Sequence, residues 1–470
     1  MAHKFWCIFI APVLRIGMNQ GFTPVAQWGW AKTDKDVQEE INEIKRQLEH
    51  VKQNIKKNLN DEIEFVGWNI IHNLDEVLNL SYDIQTSDVD GVIIFSTSPF
   101  WIYLEALYTF NKPIIFFAKE FSKPFYGFNL MTYYVKWMLE EPYRRNWIKI
   151  IIDDYELLRK ELQAIIAFSK IKNVKVLCIG GPAEWKNGKL WGYGSYELIR
   201  KIQERIGMKI KFISLDEFER IFKQTSLTED MQNEYRDFIK NAINIKEIEE
   251  KSAINSVKMY YILKSLLKKY DCKAVTINCY ATDFIDRTGT TPCYALSRLN
   301  DEGIVATCEA DFTAMLVMLA SFYATGKPAF MGDPIFNEME PVVINAHCTA
   351  ATKINGICRE PEKYVATSHY ESGKGLAVEV LFREGDPITI ILLPSDLHVV
   401  IIAKGKIVKS GLELPICRNQ IMFEVYNFEK FFKACERNIH FYEHMINVIG
   451  DHTKELKSFF DLLGVKTIVI

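Results

Sequence analysis

The sequence has no Cys-x-x-Cys pair, no long run of one charge sign, no uninterrupted apolar stretch able to cross a bilayer, and neither glycine fingerprint of a nucleotide-binding loop. Each absence removes a class. The ten cysteines, scattered over 470 residues, lack the spacing that thiolate zinc or redox sites need, and read as small buried hydrophobes in a reducing compartment. The 57 basic and 60 acidic residues give a net charge of -3, which points to no nucleic-acid or membrane partner. The window 91–110 is interrupted by Ser96, Thr97, Ser98, Pro99 and Glu105, too polar for a membrane span. Residues 1–12 carry only Lys4 ahead of their apolar stretch and no small-residue cleavage site follows, so they read as a first strand. The expectation is a soluble, cytoplasmic protein. Gly180-Gly181-Pro182 matches no phosphate-binding pattern and reads as a plain turn.

What is present is material for packed cores: 48% apolar, 13% aromatic and 25% charged residues, close to the average of folded chains. The length predicts two to three domains. Val37, Ile41, Ile44, Leu48, Val51, Ile55 and Leu59 recur at steps of three and four, one stripe of a helix. Apolar runs at 63–66, 92–95, 114–117 and 148–152 read as buried strands alternating with helices, the signature of a parallel sheet. A second α/β unit starts with strand 174–179 and continues through strand 209–214, helical segments over 229–269 and strand 274–278. Beyond about residue 342, strands at 376–382, 388–393 and 398–403 follow one another across short turns, which predicts an antiparallel barrel or sandwich. The chain closes with a helix at 453–463 and a strand at 465–470. The expected fold is therefore α/β, with two consecutive parallel-sheet domains (1–172 and 173–340) followed by a β-rich, barrel-like domain (341–470).

Polar residues gather at the ends of apolar elements in Thr307-Cys308-Glu309-Ala310-Asp311, Met331-Gly332-Asp333-Pro334 and Asn345-Ala346-His347-Cys348. Carboxylates and a histidine so placed suit a ligand crevice in an α/β sheet. Each also has an ordinary reading. Glu309 and Asp311 open the apolar helix 312–323, where acidic residues favour the dipole by about 0.3 to 1 kcal/mol. Asp333 before Pro334 fits a turn, His347 a satisfied core histidine, and His444 a strand histidine with a solvated ring. Two carboxylates plus imidazole make an oxygen-rich set with a borderline nitrogen, suited to Mn²⁺, Mg²⁺, Co²⁺ or Fe²⁺. Such a set, without thiolates, argues against structural zinc. An ion there could hold two adjacent sugar oxygens and polarise a carbonyl, leaving a carboxylate to move the proton.

These motifs, with residues 289–293, Leu299-Asn300-Asp301-Glu302-Gly303, Cys348-Thr349, and His444 followed by Gly450-Asp451, resemble the L-fucose isomerase and L-arabinose isomerase superfamily. The resemblance is strongest over about 276–349. It implies two α/β domains and a β-rich third, a homo-oligomer (trimer or hexamer) with active sites between subunits, and a divalent ion, usually manganese, held by Glu309, Asp333 and His444. Asp333 is the shorter carboxylate, as in the fucose branch, so His347 is assigned to substrate or outer-shell contact, with metal ligation as the second choice. The arabinose branch carries two adjacent histidines where this chain has His444-Met445.

The implied activity is an aldose–ketose isomerisation of an open-chain sugar through an enediol, in which Glu309 and Asp333 exchange the proton between C1 and C2 and Asp311 supports the ligands. Arg15, with Trp28 and Trp30, is the N-terminal candidate for contact with a neighbouring subunit's sugar, ordinary packing being the alternative. Epimerisation or retro-aldol cleavage at the same site, and sugar binding or sensing without catalysis, are the competing readings.

Overall fold

The computed structural model describes residues 2–10, 34–71, 74–96, 108–118, 147–182, 196–280, 283–337, 340–439 and 444–470; Arg15, Trp28 and Trp30 lie outside them. The chain divides into two compact units, Met1–Ser169 with Asp461–Gly464, and Lys170–Phe460 with Val465–Ile470.

In the first unit, β1 (His3–Ile10), β2 (Ile63–Ile71), β3 (Gly91–Ser96), β4 (Ile114–Ala118) and β5 (Ile148–Ile152) form one sheet in the order β2-β1-β3-β4-β5. Every pairing is parallel, a doubly wound arrangement. Alternation along the strands decides which face each side chain serves. Phe5, Cys7, Phe9, Ile93, Phe95, Ile115 and Phe117 pack with Ile41, Ile44, Leu48, Val51 and Ile55 of α1 (Asp34–Leu59), the stripe visible in the sequence. Ile8, Val92, Ile94, Ile114 and Phe116 face the other way, onto Val77 and Ile84 of α2 (Leu74–Thr86). A bulge in the β1–β2 pairing coincides with Gly67, at φ +82°, where an added Cβ would lie 2.3 Å from the Trp6 indole nitrogen; only glycine fits there.

In the second unit, β6 (Lys175–Ile179), β7 (Lys209–Ile213), β9 (Ala274–Ile277) and β10 (Val305–Thr307) make a parallel sheet in the order β10-β9-β6-β7. The helical stretch expected over 229–269 is two helices, Glu229–Asn241 and Glu250–Tyr270, separated by the two-residue strand β8 (Asn244–Ile245), which pairs with Val365 and Ala366. After β10 comes α3 (Phe312–Thr325), almost wholly buried, as its apolar residues on all sides require. It ends at Gly326, φ +72°, whose N–H reaches the Phe322 carbonyl.

The β-rich region is a closed barrel. The strands β11 (Phe330–Phe336), β12 (Val342–His347), β15 (Pro387–Leu392), β16 (Val399–Ser410), β17 (Asn419–Val425) and β18 (Met445–Ile449) pair antiparallel in the cycle β15-β18-β11-β12-β17-β16, which the β15–β16 ladder closes. Closure removes the open edges a sandwich would keep. The final strand β19 (Lys466–Val469) adds parallel to β16, and β13 (Tyr364–Thr367) with β14 (Ala377–Val380) forms a separate small sheet with β8. Among the described residues no helix is long and apolar enough to cross a membrane. Eight cysteines are buried, as their scatter predicts, but Cys358 is exposed and Cys417 partly so.

Candidate metal centre

The site is built from two supports within the second unit: the loop leaving β10 and three neighbouring barrel strands. In the loop, Glu309 and Ala310 both adopt left-handed backbone, at φ 59° and 53°. Each such residue costs a non-glycine roughly 1–2 kcal/mol. The conformation is held by the Ala310 N–H on the Ile277 carbonyl (3.0 Å) and the Asp311 N–H on the Cys308 carbonyl (3.2 Å). Consecutive strained residues of this kind mark functional positions, and these sit beyond the carboxyl ends of β9 and β10, where α/β sheets bind ligands.

The barrel contributes Asp333 from β11, His347 from the end of β12 and His444 just before β18. Asp333 lies inside its strand rather than at a turn, opposite Ala346. Gly332 pairs with Met445, so the next rung sets His444 against Asp333. Buried Asn345 ties these strands together, donating to the Met445 carbonyl (3.0 Å) and to Asn447 Oδ1 (2.7 Å).

The side chains converge. His347 Nε2 is 3.6 Å from Glu309 Oε1, and His444 Nε2 is 3.8 Å from both Glu309 Oε2 and Asp333 Oδ1. The two imidazoles meet edge to face, with centroids 5.2 Å apart. Donors bound about 2.1 Å from one ion lie about 3.0 to 3.4 Å from each other, so this set is a few tenths of an ångström wider than an occupied shell. Asp333, His347 and His444 present ligand atoms within 4.8 Å of one another. His347 is buried, and its Nδ1 has no hydrogen-bond partner among the described residues. The residues present therefore fit a divalent ion bound by oxygen and imidazole nitrogen.

Asp311 does two jobs. Its Oδ1 caps α3, accepting from the Ala314 N–H (2.8 Å) and the Thr313 hydroxyl (2.7 Å), while Oδ2 accepts from His444 Nδ1 at 2.7 Å. The capping reading of its sequence position holds, and the same carboxylate meets His444 Nδ1, so that Nε2 of His444 is left facing Glu309 and Asp333. Burial lowers the His444 pKa, but the Asp311 hydrogen bond and the charges of Glu309, Asp311 and Asp333 outweigh it and push it up to about 10.

One feature departs from the thiolate-free site expected from the sequence. Cys308 Sγ lies within 4.8 Å of ligand atoms of Glu309 and His347, and 3.1 Å from Cys279 Sγ. The hydrogen bond with Cys279, followed by burial, holds the Cys308 thiol well above its ordinary pKa. The two cysteines are 29 residues apart in sequence, so no Cys-x-x-Cys pattern contains them. The available signal was that both closely follow short apolar strands which neighbour each other in the sheet.

Comparison with known proteins gives a partial match. The chain is 26% identical over 192 residues to a sulfoquinovose isomerase of Clostridium sp. (strain MSTE9), covering 40% of this chain and 41% of that one. A sulfoquinovose isomerase of Alkalicoccus urumqiensis is 25% identical over 126 residues, 26% of this chain and 28% of the relative. The matches thus span about two fifths or less of these curated relatives. No family model matches. Among solved structures, the XylFII molecule covers 69% of this chain and 94% of its own at 13% identity, with a TM-score of 0.16, too low to carry an argument.

Proposed function

We propose that the chain is a metal-dependent aldose–ketose isomerase acting on an open-chain sugar through an enediol. The observation that carries this reading is the convergence of Glu309, Asp333, His347 and His444 at distances of 3.6 to 3.8 Å, in a chain partly similar to sulfoquinovose isomerases. Glu309, Asp333 and His444 hold the ion, with His347 as a further ligand or a contact to substrate. The carboxylate–imidazole set suits Mn²⁺ first, and Mg²⁺, Co²⁺ or Fe²⁺ as well. When bound, the ion supplies polarisation of the sugar carbonyl, which makes the adjacent C–H acidic enough for a weak carboxylate base.

Glu309 and Asp333 do the proton work. One carboxylate takes the proton from C2 of the aldose and returns one to C1 while the other passes the hydroxyl proton from O2 to O1, so the reaction neither gains nor loses a proton overall. The Asp333 side chain is 60% exposed and that of Glu309 21%, so the sugar approaches past Asp333 with Glu309 deeper. Asp311 keeps His444 oriented throughout. The same reading places the protein in the cytoplasm as a homo-oligomer, a trimer or hexamer, which sedimentation tests.

The decisive experiment incubates Mn²⁺-loaded protein with sulfoquinovose and a panel of pentoses, hexoses and 6-deoxyhexoses, identifying products by NMR. Aldose–ketose interconversion that Glu309→Gln abolishes, with folding and Mn²⁺ occupancy followed in parallel, is the expected result. Absence of turnover with bound metal verified would overturn the isomerase, and an epimer or cleavage product would replace it with the corresponding reaction.

A further inference from the structure

Cys308 is the residue next to Glu309, yet it has no part in the isomerisation. It is 3% exposed, and its sulfur stands with a Glu309 oxygen and a His347 nitrogen inside a 4.8 Å circle. Asp333, His347 and His444 form a separate group of the same compactness that contains no sulfur. His347 belongs to both. The centre therefore has a hard side, made of oxygen and imidazole, and a soft side that adds a thiol.

We propose that Cys308, Glu309 and His347 form a second cation position, one that takes a thiophilic divalent ion of the Zn²⁺ or Cd²⁺ class. Such ions bind sulfur at about 2.3 Å and nitrogen or oxygen at about 2.0–2.2 Å in a tetrahedron, which needs donors about 3.5 Å apart; the three donor atoms already lie within 4.8 Å of one another, Glu309 Oε1 and His347 Nε2 at 3.6 Å. Cys279, with its sulfur 3.1 Å from that of Cys308, is the nearest further thiol and the candidate fourth donor. Binding exchanges the S–H bond of Cys308 for a sulfur–metal bond and releases one proton to solvent, and a second leaves Cys279 when its thiolate takes the fourth position. Because the two positions share His347, an ion on the soft side competes with one on the hard side. Ligand softness decides which ion goes where.

The test titrates reduced, metal-stripped full-length protein with Cd²⁺ and reads the ultraviolet thiolate-to-cadmium absorption. A saturating band at one Cd²⁺ per chain is expected. Cys308→Ser abolishes it, while Cys348→Ser and Asp333→Asn retain it, and saturation with Mn²⁺ beforehand shifts the titration to higher Cd²⁺. Should Cys308→Ser fail to fold by circular dichroism, His347→Gln decides, with a midpoint about tenfold or more higher. No band in the wild-type chain, an undiminished band in folded Cys308→Ser, or a midpoint unmoved in His347→Gln overturns the proposal. The readout is metal–sulfur absorption, so it stands or falls independently of whether the chain turns over a sugar.

Discussion

Asp311 Oδ2 lies 2.7 Å from His444 Nδ1 across 133 residues of sequence, joining the cap of α3 to the histidine that leads into β18. This contact makes the parallel sheet and the barrel one site. Asp311→Asn retains a good helix cap, since asparagine and aspartate cap about equally well, but removes the charge that orients His444. Mn²⁺ affinity measured by isothermal titration is expected to fall about 10- to 100-fold with little change in thermal stability. Asp311→Ala loses the cap as well, at about 1 kcal/mol of further destabilisation.

The same contact sets a pH dependence in the metal-free protein. The His444 pKa stands at about 10 rather than near its ordinary 6.5, so the folded state holds a proton that the unfolded chain gives up sooner. Its contribution to stability is complete below pH 6.5 and is lost as pH rises through about 10. Urea unfolding in the presence of a chelator should show stability declining across that window, and His444→Gln should flatten the decline.

The legible parts of the fold were those set by local periodicity. The stripe from Ile41 to Ile55 and the alternating faces of 92–95 and 114–117 are properties of neighbouring residues, and they reappear as the two cores of the first sheet. The run of strands beyond residue 342 pointed to a barrel or sandwich, and a closed barrel is what forms, but which strands meet to close it was not legible. Closure depends on Ile388 meeting Ile449 and Ile390 meeting Ala403, pairings that a run of strands permits but does not require. The site divides the same way. The carboxylates and histidines stand out by type and by position at the ends of apolar elements. The approach of Cys308 to His347 and the grip of Asp311 on His444 exist only once β10 and the barrel are in place.

Gly332 tests how tightly the barrel fixes Asp333. A Cβ added there would fall 2.8 Å from Asn345 Oδ1 and 3.0 Å from the Ala346 carbonyl, and Asn345 is held by its bonds to Met445 and Asn447. Gly332→Ala is expected to cost about 1–3 kcal/mol by overpacking and to weaken Mn²⁺ binding by moving the next residue, Asp333. Adding Asn345→Ala removes one side of the clash, so the double variant should be less destabilised than the sum of the single ones. Chemical denaturation of the four proteins closes the cycle.

Glu309 carries its carboxylate on a backbone at φ 59°, a conformation that glycine adopts freely and glutamate does not. Glu309→Gly should therefore relieve about 1 kcal/mol of strain while removing a carboxylate from the centre. In chelator the variant is expected to unfold at the same or higher urea concentration than the wild type, and to lose Mn²⁺ affinity and turnover together. That opposition of stability and function is what a residue held in place for its chemistry shows. A variant that unfolded markedly earlier than the wild type would mean that the Glu309 side chain contributes more to packing than its backbone costs.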